Sequence, residues 1–165
     1  MRTLWNSISN PTLTASLVKD TLKQILGLAK ALDKAHNLNK TGASYRHGDL
    51  KPENILVFSG NGSIGTLKIG DWGEAKSHEE VTEMRPRNTT ARFGTRRYEA
   101  PEVETGIRAR YLGQPTKRRS RLLDIWAMGC INLEFVIWLL YGSNGLKRFN
   151  NDMGEESFYL SLIHI

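Results

Sequence analysis

Residues 47–54 read His-Gly-Asp-Leu-Lys-Pro-Glu-Asn, and three of them carry groups that can act together. The Asp49 carboxylate can take a proton from a hydroxyl. The Lys51 ammonium can face an anionic group, and the Asn54 amide can offer oxygen to a hard cation. A second acid, Asp71, is followed by Trp72 and Gly73, where glycine permits a sharp backbone turn. Taken singly these are weak signals, since Asp-x-Lys-x-x-Asn also describes a solvated polar loop and Asp-Trp-Gly a simple turn.

Two further segments follow in order: Gly94-Thr95-Arg96-Arg97-Tyr98-Glu99-Ala100-Pro101-Glu102, and Asp124-Ile125-Trp126-Ala127-Met128-Gly129-Cys130. Together and in this sequence, the four segments resemble the protein kinase family over residues 12–142. Lys51-Pro52-Glu53 and Thr95 resemble its serine/threonine branch. The resemblance implies transfer of the ATP γ-phosphoryl group to protein Ser/Thr hydroxyls with Mg2+ bound. It makes Asp49 the catalytic base and Lys51 the phosphate contact, with Asn54 and Asp71 as metal ligands. Lys51, Glu53, Asn54, Leu56 and Asp71 would surround ATP, although a core position explains Leu56 equally well. Thr95, Arg96, Arg97 and Tyr98 would belong to the substrate-peptide segment. His47, Glu102 and Asp124 would be structural anchors, Asp124 holding the catalytic-loop backbone.

The departures matter as much. Gly48 stands where the family commonly has an Arg that pairs with a phosphorylated activation loop, so phosphorylation at Thr89 or Thr90 is expected to be a weak switch. No Gly-rich strand-turn-strand, strand Lys or partner-Glu helix precedes the first helix, and positioning supplies most of the rate in phosphoryl transfer. The expectation is one partial domain over residues 1–165, a kinase-like C-lobe truncated at both ends. The isolated chain is expected to lack activity, with the N-lobe supplied in cis or by a partner protein. Glu102, if buried without its usual Arg, would cost on the order of 3–5 kcal/mol. Phe135, Trp138 and Leu139 would form an exposed apolar flank.

The elements that position these residues are legible from hydrophobic spacing, and they predict a mainly α fold with a small β-hairpin. Leu17, Val18, Thr21, Leu22, Ile25, Leu28, Ala29 and Leu32 recur at helical steps between 13 and 36, with Thr12 or Thr14 as cap. Residues 55–58 and 64–69 form two short apolar runs about a Gly-rich connector, which predicts the hairpin. Residues 70–114 predict long irregular loops. The run from 122 to 141 has the length of a membrane span, but Asp124, Asn132 and Glu134 inside it favour a buried central helix ended at 142–145.

A net charge of +6 and a pI near 9.6 raise the question of nucleic acid. Between 85 and 121 there are eleven Lys/Arg against three Glu, an excess that exceeds that of the whole chain. Because Arg96 and Arg97 fall in the peptide segment, a solvated face or acidic-substrate contact is the expected use, and neither a nucleic-acid nor a membrane partner is expected. The lone Cys130 permits no internal disulfide, which fits a cytoplasmic or nuclear setting. The four scattered histidines show no zinc spacing. The competing reading is a noncatalytic kinase-like module that binds proteins, favoured by Gly48 and the absent phosphate cover, but opposed by the retention of Asp49, Lys51, Asn54 and Asp71.

Overall fold

The long helix α2 (Ala15–His36) starts where Thr14, in extended conformation, accepts the Leu17 N–H on its hydroxyl at 3.1 Å. It ends at Asn37, whose N–H donates to the Asp33 carbonyl at 2.9 Å, with Lys34 and His36 in the last turn, where cations complement the helix dipole. Leu17, Thr21, Leu28, Leu32, Ala35 and His36 form its buried stripe. Leu22, expected on that stripe, is instead 58% exposed. Five residues beyond Leu17, it sits about 140° around the helix, outside the contact arc. The computed structural model describes residues 2–7, 12–37, 45–60, 62–77, 96–103, 121–154 and 158.

The predicted hairpin consists of β3 (Ile55–Phe58) and β4 (Thr66–Ile69), antiparallel, with Ile55 opposite Ile69 and Phe58 opposite Thr66. It belongs to a three-stranded sheet. β1 (Arg2–Thr3) pairs antiparallel with the other edge of β3, Thr3 opposite Leu56, and leads into the one-turn helix α1 (Leu4–Ser7). β2 (Tyr45–Arg46) and β5 (Lys76–Ser77) make a separate antiparallel pair. Side chains of α2 hold the hairpin: Gln24 Oε1 accepts the Leu67 N–H at 3.0 Å, and Asp20 accepts the Ser63 N–H and hydroxyl at 2.9 and 3.0 Å.

The third helix, α3 (Leu122–Met153), is long and apolar enough to cross a membrane by length and composition. Within the fold, however, the acids inside its apolar run, Asp124 and Glu134, are each 1% exposed and hydrogen-bonded, so they are satisfied by protein partners, and Asp152 in the last turn is exposed. The helix is broken at Gly142 (φ 68°, ψ −174°), a conformation that favours glycine. Helix resumes beyond it to Met153, whereas the sequence reading ended the element there.

The expected exposed flank at Phe135 and Trp138 is not found. They are 0% and 1% exposed, and the Trp5 ring covers them at centroid distances of 5.1 and 6.3 Å. Leu139 is partly buried, while Leu122, Ile125, Val136, Leu140 and Tyr141 face outward. The single core thus joins α1, the inner stripe of α2, the hairpin and α3.

Candidate active site

The loop from 47 to 54 is built around Asp124 at the start of α3. Asp124 Oδ2 accepts the His47 N–H at 2.8 Å and lies 2.8 Å from His36 Nε2, while Oδ1 accepts the Gly48 N–H at 2.9 Å. One carboxylate therefore orients two consecutive peptide groups, and Gly48 (φ 85°) takes a left-handed turn directly after them. The His47 ring is fully buried. Its Nε2 lies 2.9 Å from the Gly70 carbonyl and its Nδ1 accepts the Asp49 N–H at 3.3 Å, an arrangement that places the ring proton on Nε2.

Beyond that anchor the chemistry-bearing groups gather. Lys51 Nζ donates to Asp49 Oδ2 at 2.6 Å. Asn54 Nδ2 donates to the Asp49 carbonyl at 2.7 Å and lies 3.4 Å from Asp49 Oδ2. A single 3-10 turn, Pro52–Asn54, carries Asn54 back toward Asp49, with the Asn54 N–H on the Lys51 carbonyl at 2.9 Å and Glu53 exposed on its outside.

Asp71 reaches this place through the hairpin. The strand pairing continues one step past Ile55–Ile69, where the Gly70 N–H donates to the Asn54 carbonyl at 2.8 Å. Gly70 is thus held by Asn54 on one side and His47 on the other, and Asp71 follows it directly. Asp71 is exposed and left-handed (φ 53°, ψ 65°), a conformation that Asp tolerates better than most residues. Trp72 sets its ring edge-on to His47 at 4.7 Å and donates to the Ile69 carbonyl at 3.3 Å. Leu56 is half-buried on β3 beside Gly70. The Asn54 amide and Asp71 carboxylate are hard oxygen donors, a set that fits Mg2+ rather than a thiolate- or imidazole-seeking metal.

The segment around 95–103 is divided differently from the sequence expectation. Thr95 lies outside the described residues, as do Thr89 and Thr90. Arg96 is exposed, but Arg97 and Tyr98 turn inward. Arg97 donates to Asn150 Oδ1 at 2.7 Å and stacks over Phe158 at 5.2 Å. Tyr98 donates to Glu134 Oε1 at 2.8 Å, and burial with the nearby carboxylate pushes its phenol far above the ordinary range. Of the described residues from 96 to 98, only Arg96 presents its side chain to solvent as a peptide contact would.

Glu102 is exposed, so the cost attached to burying it without a partner does not arise. It stands at the rim of a cavity of about 490 Å³ lined by Leu122, Ile125, Trp126, Cys130, Leu133 and Phe158. Cys130 is buried against that cavity, and desolvation pushes its thiol up to about 12. In the basic block, Arg121 donates to the His36 carbonyl at 2.6 Å and to Asn37 Oδ1 at 3.2 Å, closing the end of α2. Like Arg97, it is spent on internal contacts. Lys117 to Ser120 lie outside the described residues.

Sequence reasoning missed His36, Trp5 and the partners of Glu134. The available signal was an acid inside the most apolar run, which demands a donor from elsewhere in the fold.

The chain is similar to known protein kinases. Residues 1–160 match the protein kinase domain. A probable cyclin-dependent kinase 8 of Dictyostelium discoideum is 38% identical over 90 residues, covering 54% of this chain and 21% of that protein. Cyclin-dependent kinase 4 of Ovis aries is 34% identical over 134 residues, 81% of this chain and 35% of the relative. Serine/threonine kinase NLK of Caenorhabditis briggsae is 36% identical over 129 residues, 78% and 16% respectively. The chain belongs to the protein kinase family, whose members named here are serine/threonine kinases, and its architecture is a mostly helical kinase domain with a small antiparallel sheet. It spans about a third or less of the length of these relatives.

Proposed function

We propose that this chain is the C-lobe part of a serine/threonine protein kinase, one partial domain over residues 1–165 that works with phosphate-covering elements outside these residues. Those elements come either in cis or from a partner protein. The observation that carries the reading is the cluster of Asp49, Lys51 and Asn54, bound at 2.6–2.7 Å and tied through Gly70 to the backbone that presents Asp71.

In this reading Asp49 takes the proton of a substrate Ser or Thr hydroxyl as its oxygen attacks the γ-phosphorus of ATP. A new O–P bond forms, the bond to the β-phosphate oxygen breaks, and ADP leaves. Lys51 holds Asp49 Oδ2 in line and faces the negative charge of the transferring group. Asn54 and Asp71 would hold Mg2+, which neutralises phosphate charge when bound. Among the described residues no group of three or more His, Cys, Asp or Glu could cage a metal alone, so bound phosphate oxygens would complete the coordination. His47, Gly48 and Asp124 keep the loop in place, and Leu56 offers an apolar surface to the adenine. A cytoplasmic or nuclear setting belongs to the same proposal.

Joined to an upstream nucleotide-covering lobe, the chain should phosphorylate Ser/Thr substrates, and Asp49→Asn should lower the rate by about 10²–10⁴-fold. Normal transfer by that variant, measured by phosphate incorporation, would remove Asp49 as base. The second reading is a noncatalytic module that binds proteins through this surface. It is favoured by Gly48, which cannot pair with a phosphorylated loop.

A further inference from the structure

Glu134 lies at the middle of α3, and both of its oxygens are taken by distant parts of the chain. Oε2 accepts the indole N–H of Trp5 from α1 at 2.9 Å, and Oε1 accepts the Tyr98 hydroxyl at 2.8 Å, with Arg97 Nε 3.9 Å away. A buried carboxylate is the side chain suited to this, because it only accepts; an amide would turn its NH2 toward one of the two donors. Burial raises the Glu134 pKa, opposed by Tyr98, Trp5 and Arg97 and reinforced by the charge of Glu53. Cys130 lies one turn earlier on α3, where desolvation and then the Glu134 charge raise its thiol pKa.

The segment that carries Tyr98 is gripped on its far side by the second half of α3 and by Phe158. Arg97 bonds Asn150, the Phe158 N–H donates to the Arg97 carbonyl at 3.1 Å, and the Tyr98 and Phe158 rings lie 5.5 Å apart. Glu134 supplies the inner hold, and Trp5 binds the other oxygen of the same carboxylate.

We infer that Trp5 and Glu134 are positioning residues for the peptide-side segment. The N-terminal turn sets the pose of Tyr98 and Arg97, and so of the exposed Arg96 next to them, through one shared carboxylate. This rests on the reading of residues 95–98 as the peptide-side segment and assigns that segment a control point in α1.

The test is amide hydrogen exchange by NMR on the full 165-residue chain. Trp5→Phe keeps a ring over Phe135 and Trp138 and deletes only the donor. The Glu99 N–H, bonded to the Arg96 carbonyl, and the Phe158 N–H report on the segment, while the His47 and Gly48 N–H groups report on the catalytic loop. Exchange at Glu99 and Phe158 should quicken about tenfold, with His47 and Gly48 unchanged. Tyr98→Phe should in turn quicken exchange of the Trp5 indole N–H, and the double variant should show less than the product of the two single effects.

Unchanged exchange at Glu99 and Phe158 in Trp5→Phe overturns the inference, as does equal acceleration at all four amides, the mark of global loosening. If Trp5→Phe does not fold, an unaltered Trp5 indole N–H in Tyr98→Phe overturns it alone. None of these readouts needs phosphoryl transfer, so a failed kinase assay and a failed coupling are told apart.

Discussion

Gly48 adopts φ 85° directly after the two peptide groups that Asp124 holds, and it is exposed. A side chain there meets backbone strain rather than a crowded neighbourhood. Gly48→Ala and Gly48→Arg should therefore destabilise the chain by a similar amount, about 1–2 kcal/mol, and Gly48→Asn by less. Urea denaturation checks the order, and an Arg penalty far above that of Ala would show that side-chain crowding governs the position. The same glycine offers no guanidinium to a phosphate, so Gly48→Arg would introduce that pairing only against the backbone preference. At this scale the sequence was most informative. Asp49, Lys51 and Asn54 lie within six residues, so their proximity is local, and the resemblance of four ordered segments to one family suggests the shared task. The groups that hold them are not local. The bonds from His47 and Gly48 to Asp124 span 77 and 76 residues, and that from Trp5 to Glu134 spans 129.

The helix α2 shows what hydrophobic spacing can and cannot resolve. Its existence, a cap at Thr12 or Thr14 and an end near 37–42 follow from local residues, and the structure selects Thr14 and closes the helix at His36. Which leucines are buried follows from what packs beside them. Leu28 is 0% exposed and Leu22 58%, although both fitted the helical pattern. Leu28→Ala should cost about 2–5 kcal/mol and Leu22→Ala stay within about 0.5 kcal/mol, by chemical denaturation. The clasp between α2 and the hairpin adds a pH signature. The Ser63 N–H and hydroxyl lower the pKa of Asp20 below its usual value. Folding then gains from Asp20 above the ordinary carboxylate pKa, and the gain fades as pH falls through the lower folded value. Asp20→Asn should be less stable than the parent at pH 7, and the two stability curves should meet in strong acid. A gap that persists at the lowest pH would show that Asp20 acts by something other than its charge.

Over the whole molecule, the site sits on a scaffold that anchors the loop from behind but supplies no Gly-rich cover for phosphates within these 165 residues. Millimolar Mg-ATP should raise the melting temperature of the isolated chain by less than a degree, and much more once a covering lobe is joined. No increase in the joined protein would favour the noncatalytic module. The hairpin and the central helix were visible as apolar runs. The role of α1 was not, because two strand residues and a single helical turn carry too little periodicity to register. Its importance comes from Leu4 and Trp5 packing on a helix more than a hundred residues later.

The dependence of the 47–48 backbone on Asp124 also sets an order in time. A ribosome adding about 5–20 residues per second makes Gly48 roughly 4–15 s before Asp124 exists. During that interval the nascent loop has its reactive side chains but not the carboxylate that shapes them. Synthesis itself therefore delays assembly of the site until the start of α3 has emerged.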